Sequence, residues 1–312
     1  MHSYLARIAI AALAVSGPAL RAAEPLAVGG PLAAVNEAGE TVPISSNVRV
    51  YGSFHFAESC TFDPERNLIL VMNAGVRAGG DALRADGYVS LVRPDGTVHT
   101  AKWIGAEREG LELNDPLGSA IQDGVLYTVD GSVIRRFDLE TGQPLAVTRV
   151  EGSTFLNGIA VAGDGTIFVS NTRPESRVYR VTPDGAVDLF LEGAPLAAPN
   201  GVAMDPEGNP VVVNIDDDAV LTFDRSGRLL RTERAAQKGS DGLVILPDGT
   251  KYVSSVRHGT ISRIRPGEDA EVIARGIPSA ASMCLDSRQR QLVVPMNPNN
   301  AIALVPLEDS AD

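Results

Sequence analysis

Short apolar strands alternate with acidic-Gly pairs along this chain at a regular interval. Residues 157–171 read Asn-Gly-Ile-Ala-Val-Ala-Gly-Asp-Gly-Thr-Ile-Phe-Val-Ser-Asn, and residues 200–214 read Asn-Gly-Val-Ala-Met-Asp-Pro-Glu-Gly-Asn-Pro-Val-Val-Val-Asn. Residues 241–255 repeat the scheme as Asp-Gly-Leu-Val-Ile-Leu-Pro-Asp-Gly-Thr-Lys-Tyr-Val-Ser-Ser. Each unit has a polar head, a short strand, a turn at Asp164-Gly165, Glu207-Gly208 or Asp248-Gly249, and a second β-rich strand. Such pairs between β-patterned runs signal hairpins. The same phase extends to heads at Glu58, Pro116 and Ala281, so successive heads lie 58, 41, 43, 41 and 40 residues apart. The long first interval contains a polar, Gly-rich insertion at about Ala74 to Gly87.

Each unit continues into a third and a fourth strand, as in Arg177-Val-Tyr-Arg-Val followed by Val187-Asp-Leu-Phe-Leu. Four strands per unit and six units predict an all-β fold, a six-bladed β-propeller with four-stranded blades. The last unit lacks its fourth strand, and Asn47-Val-Arg-Val-Tyr-Gly-Ser-Phe supplies one ahead of Glu58. This N-terminal strand is expected to close the ring, leaving no unpaired sheet ends between the first and last blades.

Composition narrows the class. The chain has 312 residues, with 27 Lys+Arg against 39 Asp+Glu, a net charge of −12. No basic cluster accompanies that excess of acid, which argues against a nucleic-acid partner. Arg7, the apolar run Ile8 to Val15, the break at Ser16-Gly17-Pro18 and the small residues Ala22-Ala23 read as a signal peptide over residues 1–23. Residues 24–312 then form a single propeller domain, expected to be periplasmic or secreted, monomeric or weakly oligomeric, and without a membrane span. Removing residues 1–23 takes away Arg7 and Arg21 and no acid, so the mature charge is 25 − 39 = −14. Cys60 and Cys284 fall in the first strands of neighbouring blades, at offsets from their heads that point ideal strands' side chains to opposite faces. Two buried thiols are therefore the expectation.

Blade geometry turns the heads into a candidate site. The first strand of a blade lines the channel, so the six heads ring one mouth. Glu58, Asn157, Asn200 and Asp241 would offer two carboxylates and two amide oxygens, a set suited to one hard divalent cation. Ca²⁺ is favoured, with Zn²⁺, Mn²⁺ or Mg²⁺ as alternatives. Asn-Gly and Asp-Gly are also common turn dipeptides, but these units already carry their own turns. Loops between strands 2 and 3 share this face and offer Arg77, Asp130, Asn171, Arg173, Asp217, Arg257 and His258. Of these, Asn171, Arg173 and His258 are substrate-binding candidates, together with Asn157 and with His55, just before Glu58. The Ala74–Gly87 insertion lies on the same face and could act as a lid. Asp216-Asp217-Asp218 is expected to be a solvated turn rather than a second ion site. No Gly-x-Ser-x-Gly, His-Glu-x-x-His, Cys-x-x-Cys or Walker pattern occurs.

With these heads in this order, residues 47–308 resemble the senescence marker protein/gluconolactonase/luciferin-regenerating family, whose wider relatives include paraoxonases and diisopropylfluorophosphatases. The resemblance implies a Glu in blade one, Asn in blades three and four and Asp in blade five around a central cation, matched by Glu58, Asn157, Asn200 and Asp241. It also implies an exported metal-dependent hydrolase that opens a small lactone or related ester, with Asp241 as the base that activates water. Phosphotriesterase-like or strictosidine-synthase-like chemistry at the same site, and a non-catalytic ligand- or protein-binding propeller, are the rival readings. The chain departs from the family at Phe155, where sugar-lactone members often carry Arg, and at Ser59-Cys60, where Gly-Pro is common.

Overall fold

A computed structural model describes residues 33–35, 41–76, 85–106 and 108–307. The proposed signal peptide, Arg77 and most of the blade-one insertion lie outside these residues. Six four-stranded antiparallel sheets stand in a ring. Blade one runs Ala57–Asp63, Leu68–Asn73, Tyr88–Val92 and Val98–Gly105 from the channel outward. Blades two to five repeat this order, starting at Pro116–Gln122, Leu156–Val161, Pro199–Met204 and Ser240–Ile245. Blade six comprises Cys284–Asp286, Gln291–Met296 and Ala301–Pro306, and Arg49–Tyr51 pairs antiparallel with the last of these. The N-terminal segment therefore closes the ring as the sequence predicts. A small hairpin, Ala33–Val35 with Thr41–Pro43, precedes it. Among the described residues no helix is long and apolar enough to cross a membrane.

Burial falls from the channel outward. The second strand of blade three, Ile167–Asn171, is buried throughout, whereas the outer strand of blade four, Leu229–Arg234, is almost wholly exposed. The core is divided into clusters that each span two neighbouring blades. Leu70, Ile104, Leu126 and Phe137 join blades one and two, for example, and Phe168, Val178, Val212 and Phe223 join blades three and four. Each blade is thus apolar on both faces and is stable only between its neighbours. The acidic-Gly pairs are turns as predicted, with Gly165, Gly208 and Gly249 at φ of 83°, 80° and 85°.

The cysteine expectation is overturned. Cys60 and Cys284 form a disulfide, with Cα atoms 5.4 Å apart. The offset argument failed because residues 281–283 are not regular strand; blade six's inner strand begins only at Cys284, three residues past its head. Alternation counted from the head does not carry across that segment. The bond links the inner strands of the first and last blades across 224 residues of chain. Replacing both cysteines by alanine should lower unfolding stability by about 2–5 kcal/mol, because the open chain regains loop freedom. Urea unfolding with and without reductant checks this; equal midpoints for the two proteins would remove the clasp role.

Candidate functional site

The heads sit at β-bulges. In blade three the pairing steps from Leu156↔Asn171 to Ile159↔Val169, so Asn157 and Gly158 together face one residue, Ser170. Blades four and five make the same step around Asn200-Gly201 and Asp241-Gly242. Bulges re-aim side chains, and here they fall at the candidate ligands. In blade two the bulged pair is Leu117-Gly118, so the head of that blade is Leu117, one residue beyond the Pro116 expected from turn spacing. The position is apolar in either register.

The glycines after these heads are not turn residues. Gly118, Gly158 and Gly201 are absent from the positive-φ positions of the chain, but each is pressed against the next blade. A Cβ on Gly158 would lie 2.1 Å from the carbonyl oxygen of Asn200, and one on Gly201 2.4 Å from that of Asp241. Gly118 meets Asn157 in the same way, at 2.1 Å. The Asn-Gly and Asp-Gly pairs therefore encode close packing of inner strands. Hydroxyls complete the joints. Ser170 accepts from Gly158 N at 2.9 Å and donates to Asn200 O at 2.6 Å. Ser254 accepts from Gly242 N at 2.7 Å and donates to Ala281 O at 2.8 Å. Gly201→Ala should cost about 1–3 kcal/mol through backbone displacement at Asp241, measured as a fall in urea midpoint. An unchanged midpoint would show that the joint is slack.

Glu58, Asn157, Asn200 and Asp241 are all buried, each 3–4% exposed. Asn200 Nδ2 lies 3.4 Å from Asp241 Oδ2. Ser282 Oγ donates to Asp241 Oδ1 at 3.1 Å, and Ser282 N donates to the Glu58 carbonyl at 3.1 Å. Asn297 Nδ2 donates to Glu58 Oε2 at 2.6 Å. One connected set of contacts thus runs from blade four through five and six to blade one, and Asn157 is seated beside it by the Gly118 and Gly158 joints. The side-chain oxygens Asn157 Oδ1 and Asn200 Oδ1 are buried without a hydrogen-bond partner. Burial pushes the Asp241 carboxyl up to about 7 against the opposing hydrogen bond from Ser282. Among the described residues no three His, Cys, Asp or Glu side chains converge. Below the heads a cavity of about 60 Å³ is lined by Ser59, Ser119, Ser282 and the joint glycines.

The substrate-binding candidates are placed differently. Asn171 is fully buried; its Oδ1 accepts from Thr154 N and Phe155 N at 2.9 Å each, and its amide donates to Glu175 O. In this structure it is a brace for the loop entering blade three. Asn73 and Asp130 hold the corresponding loops, accepting from His55 N and from Asn114 and Asp115 N. Arg173 and Arg257 both reach Asp216 Oδ1 at 2.8 Å, forming a clasp across blades three, four and five. His258 is exposed beside this clasp. His55 is exposed, with its ring edge-on to Tyr88 at 6.1 Å. The Asp216–Asp218 run is a solvated bend, as expected, and is held in shape by its neighbours: Asp217 accepts from Asn214 and Ala219 N, and Asp218 pairs with Arg234. Sequence reasoning missed Ser282 and Asn297. Blade-to-blade alignment gave no signal for Asn297: the position held by Asn73, Asp130, Asn171 and Asn214 in other blades is Met296 in blade six, and Asn297 lies one residue beyond it.

The fold that carries these residues is similar to that of solved structures. A gluconolactonase of Xanthomonas campestris superposes with a TM-score of 0.62 at 19% identity, covering 89% of this chain and 95% of that one. A structural-genomics target provisionally named a gluconolactonase gives 0.61 at 16% identity, with 85% and 96% covered. A virginiamycin B lyase of Staphylococcus aureus, bound to quinupristin, gives 0.58 at 12% identity, with 84% and 100% covered. No protein-family model matches the chain, and no curated protein matches it. At such identities the likeness concerns fold alone.

Proposed function

We propose that this protein is an exported, cation-dependent hydrolase of the senescence marker protein/gluconolactonase type, opening a lactone or related ester at the channel mouth. The carrying observation is the pair of buried, partnerless amide oxygens of Asn157 and Asn200 beside two buried carboxylates. Buried polar atoms are rarely left unmatched, and an all-oxygen donor set suits a hard cation such as Ca²⁺. Glu58, Asn157, Asn200 and Asp241 would hold it. When bound, such an ion polarises a carbonyl as a Lewis acid and lowers the pKa of water.

The chain's own groups supply the rest. Asp241 takes the proton of the attacking water and returns it to the leaving alkoxide, a transfer suited to a carboxyl raised toward neutral pH. Ser282 and Asn200 fix the orientation of that carboxyl, and Asn297 fixes Glu58. The Arg173–Asp216–Arg257 clasp carries two guanidiniums on one carboxylate, and with His258 it favours a substrate bearing hydroxyls or a carboxylate. The disulfide agrees with an oxidising compartment.

Elemental analysis of the purified protein and a substrate panel with and without chelator test this reading. Bound cation and chelator-sensitive lactone opening are expected. Turnover of organophosphates alone would replace it with phosphotriesterase chemistry. Inertness toward every substrate, with stability indifferent to chelator, would make the propeller a binding module.

A further inference from the structure

A second pocket, of about 730 Å³, opens on the face away from the heads, where blade six meets blade one. Its wall carries Arg49, Arg66 and Arg93, with His99 and a single carboxylate, Asp95. Arg49 sits on the strand that closes the ring, Arg66 on the first turn of blade one, and Arg93 at the end of that blade's third strand. The placement is unusual for a chain with net charge −12. Elsewhere arginines are matched to acids, as in Arg135–Asp130, Arg177–Glu192 and Arg263–Glu271. Among the described residues, neither Arg49 nor Arg93 lies within ion-pair distance of a carboxylate; the pKa of Asp95 is held low first by hydrogen bonds from Thr97 and only more weakly by the charge of Arg93. Arg93 Nη1 donates only to the Val98 carbonyl, at 3.1 Å.

Arg66 is held in place from two sides. Its Nε donates to Asp63 Oδ2 at 2.5 Å, and its guanidinium lies over the Trp103 ring at 4.9 Å. Its Nη2 is buried without a partner. The one carboxylate on the wall is occupied locally: Asp95 Oδ1 accepts from Thr97 N and Thr97 Oγ1. Gln291 Nε2 donates to Pro94 O at 2.7 Å and to Asp286 Oδ2 at 3.0 Å, tying the two blades at the pocket wall. The size falls within the range of small-molecule sites, and guanidinium forks match carboxylate and phosphate oxygens.

We propose that this seam pocket binds a small ligand bearing a carboxylate or phosphate group, and that the ligand bridges Arg49 of the closing strand to Arg93 of blade one. The site is separate from the channel mouth and does not depend on the hydrolase reading. Calorimetric titration at constant ionic strength with inorganic phosphate, and separately with succinate, tests it. Saturable binding of at least one anion is expected, with a raised melting temperature. The Arg49→Gln/Arg93→Gln variant should weaken that binding about tenfold or more, and Asp241→Asn should leave it unchanged. The arm that binds identifies the anion. Arg93→Gln alone serves if the double variant does not fold. Failure of both anions to saturate, or identical titration of the arginine variants, would overturn the proposal.

Discussion

Asp241→Asn is expected to abolish lactone turnover, by on the order of a thousandfold, while leaving the propeller folded. The substitution keeps the shape and the hydrogen bond from Ser282 but removes the charge and the proton-accepting oxygen. The measurement is kcat on the best substrate of the panel, with circular dichroism to confirm the fold. A paired cation titration separates two roles. Weakened binding together with lost turnover means that Asp241 ligates; lost turnover at full cation occupancy leaves it as base alone. Near-wild-type kcat would remove Asp241 from the mechanism.

The second large effect is a pH-dependent stability that a cation should erase. Burial holds the Asp241 carboxyl at about 7 instead of its ordinary 3.8. A carboxyl raised in the folded state keeps its proton longer there than in the unfolded chain. Its contribution to stability is therefore full below about pH 4 and is lost as pH rises through about 7. Cation-stripped protein should be less stable at about pH 8 than at about pH 5.5, by on the order of 2 kcal/mol. Asp241→Asn should flatten that slope. Added Ca²⁺ should restore the midpoint at the higher pH, with affinity falling below about pH 7 as protons compete for the carboxylate. A stripped protein that gains stability across this interval would contradict the burial argument.

The architecture was legible because it is periodic. Head, strand, turn and strand recur, and the last unit lacks a fourth strand just where Asn47–Phe54 stands ahead of Glu58 to supply one. The head residues were legible for the same reason, as the polar exceptions at one phase of an apolar strand. Contacts between blades were not. Nothing local to Ser282 or Asn297 announces a bond to Asp241 or Glu58, because those bonds form only once the ring closes. The cysteine pairing was lost to irregular backbone at residues 281–283, and the bracing role of Asn171 to loops whose amides a sequence does not show. The Asn-Gly pairs carried a second meaning beyond turn chemistry: the glycine is small because the next blade's carbonyl occupies the place of its side chain.

Those glycine joints fix the aperture of the channel through main-chain packing. Its diameter is thus set independently of the functional groups that project into it. Exchanging Asn200 for a carboxylate, or Leu117 for a polar residue, would alter charge and chemistry while the opening keeps its width. A scaffold of this kind can acquire new reactivity by single side-chain changes, without having to rebuild its frame.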